Sequence, residues 1–165
     1  MRFSPIALAL SFVLVTVSSS GLSQRPDNQI EPRSAALATQ AAAQLKAGKL
    51  AEANDLYETA LAIDPRNRTA YLGLASVARA QTLPGKAIRL YFEALSLDPN
   101  DLQALKEQGA AMVEKGAVER ARQNLVRIKT LCKVECAPAT ELAALIAKGP
   151  PAPVVTAQNG AAPKP

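Results

Sequence analysis

The sequence predicts an all-α protein, a solenoid of three stacked helix pairs with one further helix over its last face. Two near-identical phrases, LAIDPRN at 61–67 and LSLDPND at 95–101, stand 34 residues apart. The residues leading into them repeat as well: Ala53, Tyr57, Ala60 and Pro65 return as Ala87, Tyr91, Ala94 and Pro99, and Leu37 and Ala41 return as Tyr71 and Ala75. A period of this size marks one supersecondary unit stacked on copies of itself. The composition agrees. The chain is rich in Ala and Leu, has no Trp, and carries only three Tyr and three Phe in 165 residues. That suits closely packed helices better than a sheet, which favours β-branched and aromatic residues.

Taken in order, residues 1–23 read as an export signal. Arg2 supplies the positive charge, 6–17 is apolar, and Gly21 and Ser23 are small residues placed before a cut at Ser23/Gln24. The apolar run is about a dozen residues, against roughly 20 needed to span a bilayer. The alternative is an uncleaved anchor, which would be the chain's one membrane contact. No Cys follows the cut until Cys132, so a lipoprotein anchor is not expected. The expected location is therefore periplasmic or secreted. Residues 24–33 are polar with two prolines and read as a linker.

The first block, 34–67, divides into helices at 34–47 and 50–62. Gly48 between them permits a left-handed helix end. Asp64-Pro65 stops the second helix, because proline disfavours α geometry in the residue before it. Asn67 then caps the next helix. The second block, 68–101, repeats the plan with Thr82 and Pro84 at its internal turn, Asp98-Pro99 at its end and Asp101 as cap. The third, 102–135, has drifted. Leu105, Gly109, Gly116 and Ala121 hold their places, but Leu125 replaces the Tyr, Ile128 an Ala, and Lys133 the Pro. Terminal repeats are often atypical.

A last helix is expected at 138–148, with Pro138 at its start and Gly149-Pro150 at its end. Leu142, Leu145 and Ile146 share a face that reads as a capping core, with a partner-binding stripe as the other reading. Residues 149–165 are rich in Pro and Ala and read as a disordered tail.

This layout resembles the tetratricopeptide repeat. The family's pattern of a bulky residue, a small one, then Ala, aromatic, Ala and Pro matches Leu37, Ala41, Ala53, Tyr57, Ala60 and Pro65. It matches again at Tyr71, Ala75, Ala87, Tyr91, Ala94 and Pro99. The resemblance covers about 34–135. It departs from the pattern at Gln40, where Leu is usual, at Thr82, where the turn Gly is usual, and at the end of the third block.

The resemblance implies a right-handed solenoid whose first helices line a concave, partner-binding groove. Its exposed positions would be Ala38, Ala42, Leu45 and Lys46; Leu72, Ser76, Arg79 and Ala80; Lys106, Ala110, Val113 and Glu114. Each can instead simply pack. Ala38 and Ala42 stand where chaperone-binding relatives carry the Lys and Asn of a carboxylate clamp, so such a clamp is not expected. A shallow, partly apolar groove with Arg79 and Lys106 would take an extended or helical peptide.

Against chemistry, the chain has no histidine. That removes His-based acid/base catalysis, the usual Ser or Cys triads and His metal sites. No cofactor, metal or enzymatic activity is expected. The net charge of +5 falls short of a nucleic-acid footprint.

Cys132 and Cys136 carry three readings. In an exported chain a structural disulfide is favoured, and so small a ring would contribute only ~2 kcal/mol. A redox role is disfavoured because the spacing is not Cys-x-x-Cys. Two thiolates are too few for structural zinc. A basic cluster of Arg120, Arg122, Arg127, Lys129 and Lys133 reads as a solvated face, or as contact with an acidic partner or membrane surface.

The functional expectation is an exported adaptor or scaffold that binds a protein or peptide, in work such as envelope assembly. The alternatives are a self-association module or a thiol–disulfide protein.

Overall fold

The computed structural model describes residues 29–151, all of whose regular structure is helical. The expected export signal at 1–23, most of the expected 24–33 linker and most of the expected 149–165 tail lie outside the described residues. Seven helices follow in order: α1 Pro32–Lys46, α2 Leu50–Ile63, α3 Arg68–Ala80, α4 Pro84–Leu97, α5 Leu102–Glu114, α6 Val118–Cys132 and α7 Ala137–Lys148.

The first helix begins two residues inside the expected linker. Proline is tolerated in a first helical turn, where its missing N–H has no partner to lose. The Glu31 side chain also accepts a hydrogen bond from the Arg33 amide. The two expected caps are present. Asn67 Oδ1 accepts from the Ala70 amide at 3.2 Å, and Asp101 Oδ1 accepts from the Gln103 and Ala104 amides at 3.0 Å.

The turns inside the pairs share one conformation. Gly48 and Gly116 have φ of +75° and +83°, and Thr82, at the same place in the second block, has φ +58°. The turn geometry is thus kept where its usual residue is missing. Lys133 is the other non-glycine residue with positive φ among the described residues. It ends α6 and reverses the chain into the loop before α7.

Helices pack within pairs (α1 on α2, α3 on α4, α5 on α6) and between them (α2 on α3, α4 on α5), while α7 lies on α5 and α6. Ala53, Ala87 and Ala121, one from each second helix, are fully buried, which lets the backbones of a pair approach closely. Tyr57 fills the space between the first and second pairs. A Cβ on Gly73 of α3 would stand 2.0 Å from its ring carbon Cζ, so the second pair seats only because residue 73 has no side chain. Gly109 does the same for the cap, where a Cβ would lie 2.7 Å from Leu142 Cδ2.

Leu142 is fully buried with Ile128, Leu105 and Leu95, and Ile146 packs on the same cluster. Leu145 departs from the expected capping core. It is 38% exposed and turned to the concave side, because one helix stripe cannot face both α6 and the groove. The Cα atoms of Cys132 and Cys136 are 6.3 Å apart, within the span of a disulfide, with Lys133 making the reversal that a continuous helix would have prevented.

Candidate functional site

The concave face is built by α3, α5 and α7, the first helices of successive units. Its central hollow, about 480 Å³, is lined by Arg79 from α3, by Lys106, Glu107 and Ala110 from α5, and by Ala144 and Leu145 among residues of α7. A second hollow of about 360 Å³ shares Ala110, Leu145 and Lys148 with it and continues to Val113, Pro150 and Pro151.

Most charged residues of this face are bound to one another, while Lys148, on the rim of both hollows, makes no ion pair among the described residues. Arg79 reaches from α3 to α5, pairing with Glu107 and, through Nε at 3.2 Å, with Glu114. Lys106 Nζ lies 2.6 Å from Glu107 Oε1 and 2.9 Å from Glu141 Oε2 on α7. Gln103 Nε2 donates to Glu107 at 3.0 Å. Burial acts on Arg79 first, favouring loss of its proton. The carboxylates of Glu114 and Glu107 outweigh it and hold the guanidinium above its ordinary pKa. Lys106 follows the same pattern, with burial opposed and overcome by Glu107 and Glu141. Both groups therefore stay cationic through the physiological range.

The twelve expected groove positions fall out differently in the structure. Ala38, Ala110 and Val113 are 2%, 4% and 5% exposed, which corrects the expectation of an open surface there. They are packing positions, because neighbouring first helices approach closely enough to cover small side chains; Ala110 and Val113 show only an edge to the hollows. Ala42, Leu45 and Leu72 are half-buried against the core, and Ser76 donates its hydroxyl to Leu72 O at 2.9 Å. Lys46 is exposed. Ala80 is exposed, and Arg79, Lys106 and Glu114 bring charge to the groove already paired, Arg79 with Glu114 and Glu107 and Lys106 with Glu107 and Glu141.

Of the acidic half of the network the sequence points to Glu114 alone; Glu107 and Glu141 are not among the expected positions, nor are Ala144 and Lys148. A signal was available: Arg79 and Glu114, like Lys106 and Glu141, are opposite charges 35 residues apart, close to the repeat period. The basic cluster on α6 does not act as one surface. Arg122 pairs with Glu119, Arg127 donates to Pro99 O at 2.6 Å, and Lys129 and Lys133 border a separate hollow with Glu135. Among the described residues no group of three or more His, Cys, Asp or Glu side chains could hold a metal, and no helix is long and apolar enough to cross a membrane.

No family model and no curated protein sequence matches the chain. Solved structures do match. The tetratricopeptide domain of Arabidopsis OM64 superposes with a TM-score of 0.64 at 17% identity, covering 70% of this chain and 95% of that one. The fold is that of the tetratricopeptide repeat. The first such domain of Spaghetti (RPAP3), solved with the HSP90 peptide SRMEEVD, matches with a TM-score of 0.63 at 22% identity over 70% of this chain and 92% of its own. The Yersinia enterocolitica type III secretion chaperone SycD, solved with a peptide of the translocator YopD, gives 0.62 at 18% identity over 69% and 89%. The expected all-α repeat solenoid is therefore the observed one.

Proposed function

We propose that the chain is an exported adaptor that holds a segment of a partner protein in the concave groove over α5 and α7, acting by binding rather than catalysis. The observation that carries this reading is the apolar strip of Ala110, Ala144 and Leu145 lying between ion-paired walls. Leu145 is a large apolar side chain left partly open at the centre of a concavity, where an apolar residue of a peptide could cover it. Two neighbours of the same fold were solved with peptides, which supports a peptide as the kind of ligand. Because Arg79 and Lys106 are already paired and only Lys148 is left open on the rim, the groove favours a segment of mixed or low charge rather than a strongly acidic tail. Envelope assembly remains the setting we favour, on the export segment at 1–23 together with the adaptor fold.

A photo-crosslinker at Leu145, applied in the native envelope fraction, should trap a partner, and Arg79→Glu with Lys106→Glu should abolish that adduct. Adducts unchanged by the double reversal would overturn the groove assignment. The same preparation tests export. Its chain should begin near Gln24 and resist alkylation at Cys132 and Cys136 until reduced, since we take the pair to be an oxidised clasp beside α7. An intact Met1 or two free thiols would count against that part of the reading.

A further inference from the structure

On the convex side several charges stand unpaired, and their arrangement leads to a second contact surface. A cleft of about 600 Å³ lies between α4 and α6, with the buried Ile88 and Gln108 at its floor and Arg89, Phe92, Lys115 and Arg120 around it. Gln108 is held there by donating to Ile88 O at 3.2 Å and accepting from Asn124 at 2.9 Å. The Lys115 ammonium lies beside Gly85 at the edge of the cleft. Arg89, Lys115 and Arg120 make no ion pair or hydrogen bond among the described residues, and Phe92 is 64% exposed between them.

The opposite charge stands on the same convex side of the first pair. The charged residues of α2 are Glu52, Asp55 and Glu58 alone, three apart, all exposed, and none pairs with a cation among the described residues. Elsewhere most carboxylates are engaged, as Asp64, Asp101, Glu107, Glu114, Glu119 and Glu141 are. The convex surface thus carries an unpaired acidic helix face on the first pair and an unpaired basic cleft between the second and third. We propose that the α4–α6 cleft receives the acidic face of α2 from a second copy of this chain, so that copies associate head to tail. A contact of this kind uses two different patches and leaves one of each unused at the ends, so it can add further copies. A flat anionic membrane fits less well, because it cannot reach the recessed floor, and the Glu93 carboxylate on the rim opposes either occupant alike.

Sedimentation velocity on the purified chain tests this. The weight-average mass should rise with concentration at ~0.01 M salt and fall back to that of one chain at ~1 M, where screening contracts from about 30 to 3 Å. Reversing the cleft (Arg89→Glu with Arg120→Glu) or the helix (Glu52→Arg, Asp55→Arg and Glu58→Arg) should each weaken association at least about tenfold. Mixing the two reversed proteins should restore it, since each then offers what the other lacks. That recovery also shows that both variants are folded. A single-chain mass at every concentration in low salt would overturn the proposal. So would association that survives either reversal, or that the mixture fails to restore.

Discussion

At the first inter-repeat junction Asn67 and Ser34 meet in the dry interior; one period later the same two positions are Asp101 and Arg68. Asn67 Nδ2 donates to Ser34 Oγ at 2.8 Å, and Ser34 Oγ donates to Ala60 O at 2.7 Å, with both residues almost fully buried. Arg68 and Asp101 form an ion pair instead, and the guanidinium side chain stays 38% exposed. The neighbouring carboxylates diverge too. Asp64 is 4% exposed and accepts from the Glu31 amide at 2.9 Å. Asp98 has Pro65 at the position one period after Glu31, so that donor does not exist, and its side chain is 47% exposed. The lesson is physical. Small neutral groups can be buried once every donor and acceptor is matched. Where a charged pair forms, its carboxylate can be largely buried, as Asp101 and Asp64 are, while the long guanidinium side chain stays partly in water because desolvation offsets its attraction.

Disturbing the two junctions should give unequal effects. The largest should come from Gly73→Ala, which places a methyl inside the Tyr57 ring. We expect a loss of about 3 kcal/mol in denaturant unfolding, smaller than additive when combined with Tyr57→Ala. An unmoved midpoint would refute the packing of Tyr57 on α3. Asn67→Ala removes a helix cap and the partner of a buried hydroxyl, and should cost about 2 kcal/mol by the same measurement.

Acid should act on the first junction next. The Glu31 amide foremost, followed by the Arg66 amide and side chain, outweighs burial and holds the Asp64 carboxyl below its ordinary value of 3.8. A depressed folded pKa stabilises above the unfolded one and loses that contribution as pH falls through the folded one. The stability advantage of the wild type over Asp64→Asn should therefore hold at neutral pH and shrink below about 3.8; a difference independent of pH would show that Asp64 is held by shape alone.

At the second junction, Arg68→Ala should cost less than about 1 kcal/mol, and less again in high salt. A larger, salt-independent loss would mean that the ion pair is part of the core. The smallest change should be a gain. Thr82→Gly removes a left-handed strain that Gly48 and Gly116 avoid, worth about 0.5 kcal/mol once the greater freedom of unfolded glycine is subtracted. Destabilisation there would show that the Thr82 side chain makes a contact of its own.

How far each feature was legible depends on how local its cause is. The helix pairs, the Asn67 and Asp101 caps and the turns at Gly48 and Gly116 depend on residues within a few positions of one another, and all were readable. The start of α1 was misplaced because proline reads equally as linker and as first helical turn. The groove was only half readable. Arg79 and Lys106 were identified, but Glu107 and Glu141 were not, since their role appears only when α3, α5 and α7 lie side by side. Ala38 and Ala110 were taken for open positions because their exposure depends on how closely neighbouring helices approach.

By itself, then, the sequence determined the repeat, its period, the helix pairs and the absence of histidine chemistry, since these follow from residue identity and near-neighbour geometry. Tertiary structure decided which charges are spent. Stacking places Arg79 and Lys106 within reach of carboxylates on the next helix, while Arg89, Lys115 and Arg120, and Glu52, Asp55 and Glu58, remain unpaired on separate parts of the convex surface. Coulomb interactions depend on distance through space, and distance along the chain does not supply it.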